Sequence, residues 1–278
     1  MQVADNWQQN LCKDMKEVSL ASKTIIKNTG FNGDTAIILG SGLGGFINSL
    51  NRKIILKYSE IPHYPEATVE GHSGELVVGV LDNQNIIVAN GRMHLYEGYS
   101  LDEVIFPIKV FKECGIKNLI ITNSAGSLIP SYKPGTIMII DGHIDCTFKA
   151  RFEKPKVIKN QDFHSLDLEL IAKNVAFERN INIVKGNYCW VIGPAYETSY
   201  EIEYFKSING SAVGMSTLPE IREAGLNGMK LLTLSLLTNF AAGISETPLT
   251  HEDVLENAKK STERLINLLH GIIREITL

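Results

Sequence analysis

The chain has 278 residues, 44% hydrophobic and 21% charged, enough apolar material for a substantial core and no bias toward disorder. Its 27 Lys and Arg against 31 Asp and Glu give a net charge of -4, and no basic cluster interleaved with aromatics tracks a nucleic-acid backbone, which argues against nucleic acid as a partner. No apolar run reaches the length of a membrane span, the amino-terminal stretch is polar and amphipathic where a signal peptide is apolar, and Cys12, Cys114, Cys146 and Cys189 are scattered without a Cys-x-x-Cys pair. The expectation is a cytoplasmic protein with reduced thiols, no membrane attachment and no metal.

In chain order, residues 7 to 29 carry apolar positions at helical spacing and stop at Asn28-Thr29-Gly30. Thr35 to Leu39 is a short apolar run ending in glycines, and similar runs at 53 to 56, 76 to 80, 86 to 89, 118 to 122, 136 to 140, 188 to 192 and 230 to 237 read as buried strands. Helical patterns at 101 to 114, 165 to 179, 198 to 208 and 218 to 226 separate several of them. Some neighbouring strands have no helix between them, so the sheet is expected to be mixed. Val254, Ala258, Leu265, Leu269, Ile272 and Ile276 share one face of a terminal helix that Thr250 and Asp253 open as a capping box. With no linker or repeat, residues 1–278 read as a single α/β domain.

Six segments carry polar chemistry at the ends of these elements. Gly40-Ser41-Gly42-Leu43-Gly44-Gly45 offers backbone N–H groups and a hydroxyl to an anion. It also satisfies G-x-G-x-x-G, with Glu60 near the place of a ribose-binding carboxylate, although the stretch from Leu43 to Asn51 is short for the helix of a dinucleotide fold. Asn90 to Gly98 places Arg92, His94 and Tyr96 on one side if the backbone stays extended, a guanidinium fork and an imidazole suited to an anionic oxygen. Thr122 to Ser127 reads as a small-residue turn. Gly193 to Thr198 pairs the aromatic Tyr196 with Glu197 at a helix start. Ser216 in Gly214 to Glu220 reads either as a helix cap or as a ligand, and Asn239 after Leu237-Thr238 as a turn residue or a ligand.

Taken together, GSGLGG, VEGHSGE, NGRMHLYEGY, TNSAGSL, GPAYETSYEI, VGMSTLPE, LLTN and LTHEDV occur in the order and approximate spacing of the trimeric purine nucleoside phosphorylases, which residues 35 to 270 closely resemble. The resemblance implies a nucleoside phosphorylase fold with a partly barrel-like mixed sheet flanked by helices. It implies phosphorolysis of 6-oxopurine (deoxy)ribonucleosides such as inosine and guanosine, with inorganic phosphate as co-substrate, no cofactor, and assembly as a homotrimer. Residue by residue it assigns Ser41, Arg92, His94, Ser216 and the backbone at Ser124 to phosphate, with His72 on a loop nearby. Tyr96 and the backbone of Met215 fall to the ribose hydroxyls, His251 to the 5′-hydroxyl, and Tyr196, Glu197 and Asn239 to the purine. Asn239, Glu197 and His94 are then the groups closest to the chemistry.

Tyr196 stands where many members have Phe, and Ser124 where they usually have Ala. After Asp141-Gly142-His143-Ile144-Asp145, the segment through Lys159 is shorter than usual and leaves Phe163 as the nearest aromatic to close a neighbouring subunit's site. Methylthioadenosine phosphorylase is the near alternative, differing by an aspartate at the position of Asn239. A nicotinamide-dependent oxidoreductase built on the glycine pattern and a noncatalytic nucleoside-binding protein are the distant ones.

Overall fold

The computed structural model describes residues 2–69, 73–149, 153–159, 163–244 and 251–276. Ten strands and six α-helices follow in the order α1 (Gln2–Thr29), β1 (Thr35–Leu39), β2 (Asn51–Lys57), β3 (Glu75–Leu81), β4 (Gln84–Asn90), α2 (Leu101–Glu113), β5 (Asn118–Ser127), β6 (Ile137–Asp145), β7 (Ile158–Lys159), α3 (Leu166–Glu178), β8 (Ile183–Trp190), α4 (Ser199–Ser207), β9 (Ala212–Gly214), α5 (Leu218–Leu226), β10 (Lys230–Phe240) and α6 (His251–Ile276).

The sheet runs β10-β6-β8-β9-β5-β1-β4-β3-β2, and β10 also pairs with β5, so β5, β9, β8, β6 and β10 close into a barrel from which β1, β4, β3 and β2 extend as an open wing. Strands β4, β1, β5 and β10 are mutually parallel neighbours, while β10 meets β6 and β5 meets β9 antiparallel. The mixed, partly barrel-like sheet is therefore present.

The apolar runs are buried because the sheet is covered on both faces, and alternation divides each strand between two cores. Ala36 and Ile38 of β1, Ile87 of β4 and Leu119 and Ile121 of β5 face α1, α2 and α5. Ile37 and Leu39, Ile86 and Val88, and Ile120 face α3 and α6, packed with Leu265, Leu269 and Ile272. Each fully buried side chain of this kind contributes roughly 1.5–3 kcal/mol, against about 0–1 kcal/mol for a surface ion pair, so these two layers hold the sheet that presents the site. Gly30 ends α1 in the left-handed region at φ 67°, its N–H on the Ile26 carbonyl at 2.8 Å. Ser100 and Glu103 open α2 as a reciprocal capping box.

Three readings of the sequence need correction. Thr122 to Ser127 is not a turn: β5 continues through it, paired with β10 as far as Ser127 against Phe240. Small polar residues hid the strand because here the sheet faces a cavity instead of a core. For the same reason Asn239 is a strand residue, at an irregularity in the β10 register. Strand β8 occupies 183–190 instead of 188–192, its polar first half being fixed by parallel pairing with β6. The short β7 and β9 carried no periodic signal of their own. Between β1 and β2 lies only a 3-10 turn at Gly44–Ser49, not the helix a dinucleotide fold needs at that place. Thr250, half of the expected capping box, lies outside the described residues. Among the described residues no helix is long and apolar enough to cross a membrane, and no cluster of His, Cys, Asp and Glu is arranged to hold a metal.

His164 sits just before α3 with Nε2 at 2.8 Å from Thr233 Oγ1, and burial followed by the nearby His143 ring lowers its pKa to about 3. The unfolded chain takes up a proton near the ordinary value of 6.5 that the folded one refuses, so stability is present above that pH and is lost as pH falls from about 6.5 toward 3. His164→Gln should flatten this acid limb by up to about 1.4 kcal/mol per pH unit in denaturant titrations between pH 6 and 4. An unchanged limb would remove His164 as its source.

Candidate active site

At the carboxyl ends of β1, β4, β5 and β10 the apolar runs give way to small and polar residues, and these line a cavity of about 460 Å³. It gathers Ser41, Arg92, His94, Tyr96, Ser124, Tyr196, Glu197, Met215, Ser216 and Asn239, ten of the residues singled out from the sequence, from segments 198 positions apart at their extremes. His72 lies outside the described residues, as does the side chain of His251, which heads α6. Phe163 lies outside this cavity: it packs against Gly225, partly buried against the core, and lies edge-on to His143 at 5.6 Å.

Arg92 organises the floor. It follows β4 with its side chain 3% exposed, and the preceding Gly91 carbonyl accepts a hydrogen bond from Tyr58 Oη at 2.8 Å. Its Nη2 donates to the Thr122 carbonyl, and Nη1 donates to Thr217 Oγ1 at 2.7 Å and Ser216 Oγ at 3.1 Å. Thr217 Oγ1 also accepts from Asn123 Nδ2 at 3.0 Å. With both lone pairs occupied, its hydroxyl donates to Ser216 Oγ, 3.0 Å away. Ser216 Oγ thus accepts twice, and its own proton is placed between the buried Tyr188 hydroxyl, with which it shares a hydrogen bond, and the cavity that it lines.

This geometry carries backbone strain. Thr217 sits at φ 82° and ψ -42° with Leu218 N bonded to the Ser216 carbonyl at 3.0 Å, a γ-turn of the uncommon hand in a β-branched residue. Such a conformation costs on the order of 1–3 kcal/mol and persists because the hydroxyl it presents to Arg92 and Asn123 is held from several sides. The helix cap expected at Ser216 falls one residue later, at Thr217, whose hydroxyl is engaged with the site instead of the helix.

The extended backbone expected through Tyr96 stops at His94, where a 3-10 turn at Leu95–Glu97 begins; His94 and Tyr96 still meet, with rings stacked at 4.8 Å. Glu97 makes that turn. One carboxylate oxygen accepts from the His94 backbone N at 2.6 Å and lies 2.9 Å from His94 Nδ1, while the other accepts from Thr68 N at 3.0 Å and from its hydroxyl. Burial works to raise the Glu97 carboxyl, but the bonds from Thr68 and His94 together hold it below the usual range. Burial lowers the His94 pKa, which Glu97 only partly offsets and the Arg92 charge reinforces. The neutral ring therefore carries its proton on Nδ1, toward Glu97.

On the heterocycle-sized part of the cavity, Tyr196 is exposed and Glu197 half-buried, its carboxyl pushed upward by burial with a further contribution from Glu201. Asn239 Nδ2 donates to the Phe240 carbonyl at 2.9 Å and Oδ1 accepts from Thr238 Oγ1 at 2.9 Å, which fixes the amide and leaves one N–H and one lone pair. Gly126 lies opposite, where an added Cβ would make ordinary van der Waals contact with Asn239 Nδ2 and Val213 at 3.5 Å. Glu97, Thr217 and Glu220, which lies behind Arg92, escaped sequence reasoning. The signals were local and slight: Glu97 follows His94, and Glu220 follows Thr217, at the three-residue spacing of a helix start.

A concave site at the ends of parallel strands, with converging anion donors, an aromatic and a carboxylate, suits an enzyme that brings an anion to a heterocyclic substrate. The sequence model of the phosphorylase superfamily matches residues 34–274. Purine nucleoside phosphorylase 1 of Bacillus subtilis is 37% identical over 93% of this chain and 98% of its own length, and that of Geobacillus stearothermophilus 40% identical over 86% and 90%. The crystal structure of Schistosoma mansoni purine nucleoside phosphorylase in complex with adenosine superposes with a TM-score of 0.81 at 32% identity, covering 93% of this chain and 96% of that one. A schistosome enzyme in complex with hypoxanthine gives 0.80 at 31%. The chain belongs to the purine nucleoside phosphorylases of the phosphorylase superfamily, pentosyltransferases of nucleoside metabolism.

The Arg92 hub yields a stability test. Thr217→Val keeps shape and removes the acceptor of Arg92 Nη1 and Asn123 Nδ2, so it should cost on the order of 1–3 kcal/mol in equilibrium denaturation, with Thr217→Ser close to native. A Val variant as stable as the native protein would contradict the hub.

Proposed function

We propose that this enzyme splits 6-oxopurine nucleosides with inorganic phosphate, giving free base and ribose 1-phosphate, in preference to adenosine. The observation that carries the reading is that Glu197 and Asn239 share one cavity with the Arg92 and Ser216 donors. Phosphate takes the Ser216 hydroxyl, Arg92, Ser41 and the Ser124 backbone. His94, its ring held by Glu97 at Nδ1, lines the same cavity and is assigned to the phosphate with them. Tyr96 and the Met215 backbone meet the ribose, with His251 and His72 assigned by resemblance to the 5′-hydroxyl and to a loop by the phosphate. The base stacks by Tyr196.

As the glycosidic bond breaks, positive charge develops on the sugar over the phosphate anion and negative charge on the purine, whose N7 takes the remaining Asn239 N–H. Positioning and electrostatics suffice, and no cofactor or covalent nucleophile is invoked. Assembly as a homotrimer, a cytoplasmic location and a single domain over 1–278 complete the reading.

Base choice follows from hydrogen-bond polarity. An ionised Glu197 only accepts, and N1 of hypoxanthine or guanine donates, whereas N1 of adenine is another acceptor. Adenosine and hypoxanthine each occupy the site of a schistosome relative, so the fold tolerates both and the side chains must discriminate. A site built to pair a substrate N–H can reject its absence by a factor of roughly 10⁴ in kcat/KM. We expect strong preference for inosine, base release that requires phosphate, a relative gain for adenosine in Asn239→Asp, and loss of inosine turnover on acidification beginning above the ordinary carboxylate range as Glu197 protonates. Steady-state assays of both nucleosides with and without phosphate check this; comparable kcat/KM for the two would refute the base reading, and release without phosphate would refute phosphorolysis.

A further inference from the structure

Behind the floor of the cavity, Glu220 of α5 is buried with its side chain 4% exposed, and Oε2 lies 3.5 Å from Arg92 Nη1. Both hydrogens of Nη1 are already taken by Thr217 and Ser216, and Oε2 has no hydrogen-bond partner. The carboxylate therefore contributes charge to Arg92, not an acceptor. Its other tie is the Thr217 backbone N–H, the residue in the strained turn, so Glu220 is anchored to the same three-residue segment that positions the Ser216 hydroxyl. Burial pushes its carboxyl upward while Arg92 and the Thr217 N–H pull it back.

A buried guanidinium needs a counter-charge when the cavity is empty, and a carboxylate at this distance supplies it without entering the cavity. The same negative charge opposes any anion that docks on Arg92 from the other side, through a medium that screens poorly. We propose that Glu220 is a positioning residue that keeps Arg92 charge-balanced in the empty site and thereby holds the affinity for phosphate down, so that the anion is bound loosely enough to be consumed and replaced. The proposal rests on the assignment of Arg92 to phosphate.

Glu220→Gln keeps the shape and an oxygen for the Thr217 N–H while removing the charge. The phosphate KM at saturating inosine should fall roughly tenfold, with the inosine KM unchanged. The variant should melt below the native protein without phosphate yet gain more Tm on adding it, because ligand binding now relieves an unbalanced cation. A purely structural role would lower Tm equally with and without phosphate and leave the phosphate KM alone, which would overturn the proposal, as would a raised phosphate KM. Glu220→Asp, which draws the charge back by one methylene, should lower the phosphate KM by less, and a native or higher value there also counts against the proposal. Arg92→Ala serves as the control: if it keeps the native phosphate-induced Tm gain, the assignment of Arg92 fails; if it loses that gain while Glu220→Gln behaves as native, only the role of Glu220 fails.

Discussion

The arrangement turns on one buried guanidinium. Arg92 cannot give up its proton, and unsatisfied donors are costly in a dry site, so the chain brings acceptors to both terminal nitrogens, while the buried Nε has none among the described residues. They come from β5 through the Thr122 carbonyl and from the segment after β9 through Thr217 and Ser216. Meeting that demand holds Thr217 at positive φ, draws Asn123 onto the same hydroxyl and ties Ser216 Oγ into the same network. The barrel closure of β5 through β9, β8 and β6 to β10 is what makes these segments neighbours, since β9 is otherwise a strand of three residues.

A second constraint works on His94. With Glu97 tying His94, its own turn and Thr68 together, the ring is fixed in one protonation pattern and the loop before β3 is tethered to the rim of the cavity. The donor cluster thus has two supports of opposite character: a permanent cation with the Glu220 carboxyl behind it, and an imidazole whose orientation is imposed by Glu97. Glu197, at the start of α4, and Asn239, at the end of β10, stand apart from both supports, so in the proposed reading anion affinity and base choice can vary independently.

Most of the frame was legible in the sequence because buried strands and two-faced burial leave a continuous apolar signal; β1 and α5 were placed to the residue and β4 to within two. What failed did so where strands stop being apolar. The second half of β5 and the end of β10 look like turns because their side chains serve a cavity, and functional demand there replaces the periodicity that reveals a strand. The residues that line the cavity were readable by type and position after apolar runs. Glu97, Thr217 and Glu220 were not, because their roles depend on partners that only the fold supplies: Thr217 meets Arg92 across 125 positions. The packing of Phe163 against Gly225 and His143 was equally hidden, since an aromatic near a loop says nothing of the core it touches.

The central claim is that Arg92 at the carboxyl ends of the strands holds the phosphate that attacks the nucleoside. Measuring steady-state constants for both substrates in Arg92→Ala tests it most directly. The account predicts a phosphate KM raised by at least about tenfold together with a fall in kcat, since a charge-assisted contact is lost, while the inosine KM stays near native. A phosphate KM and kcat unchanged from the native enzyme would contradict it.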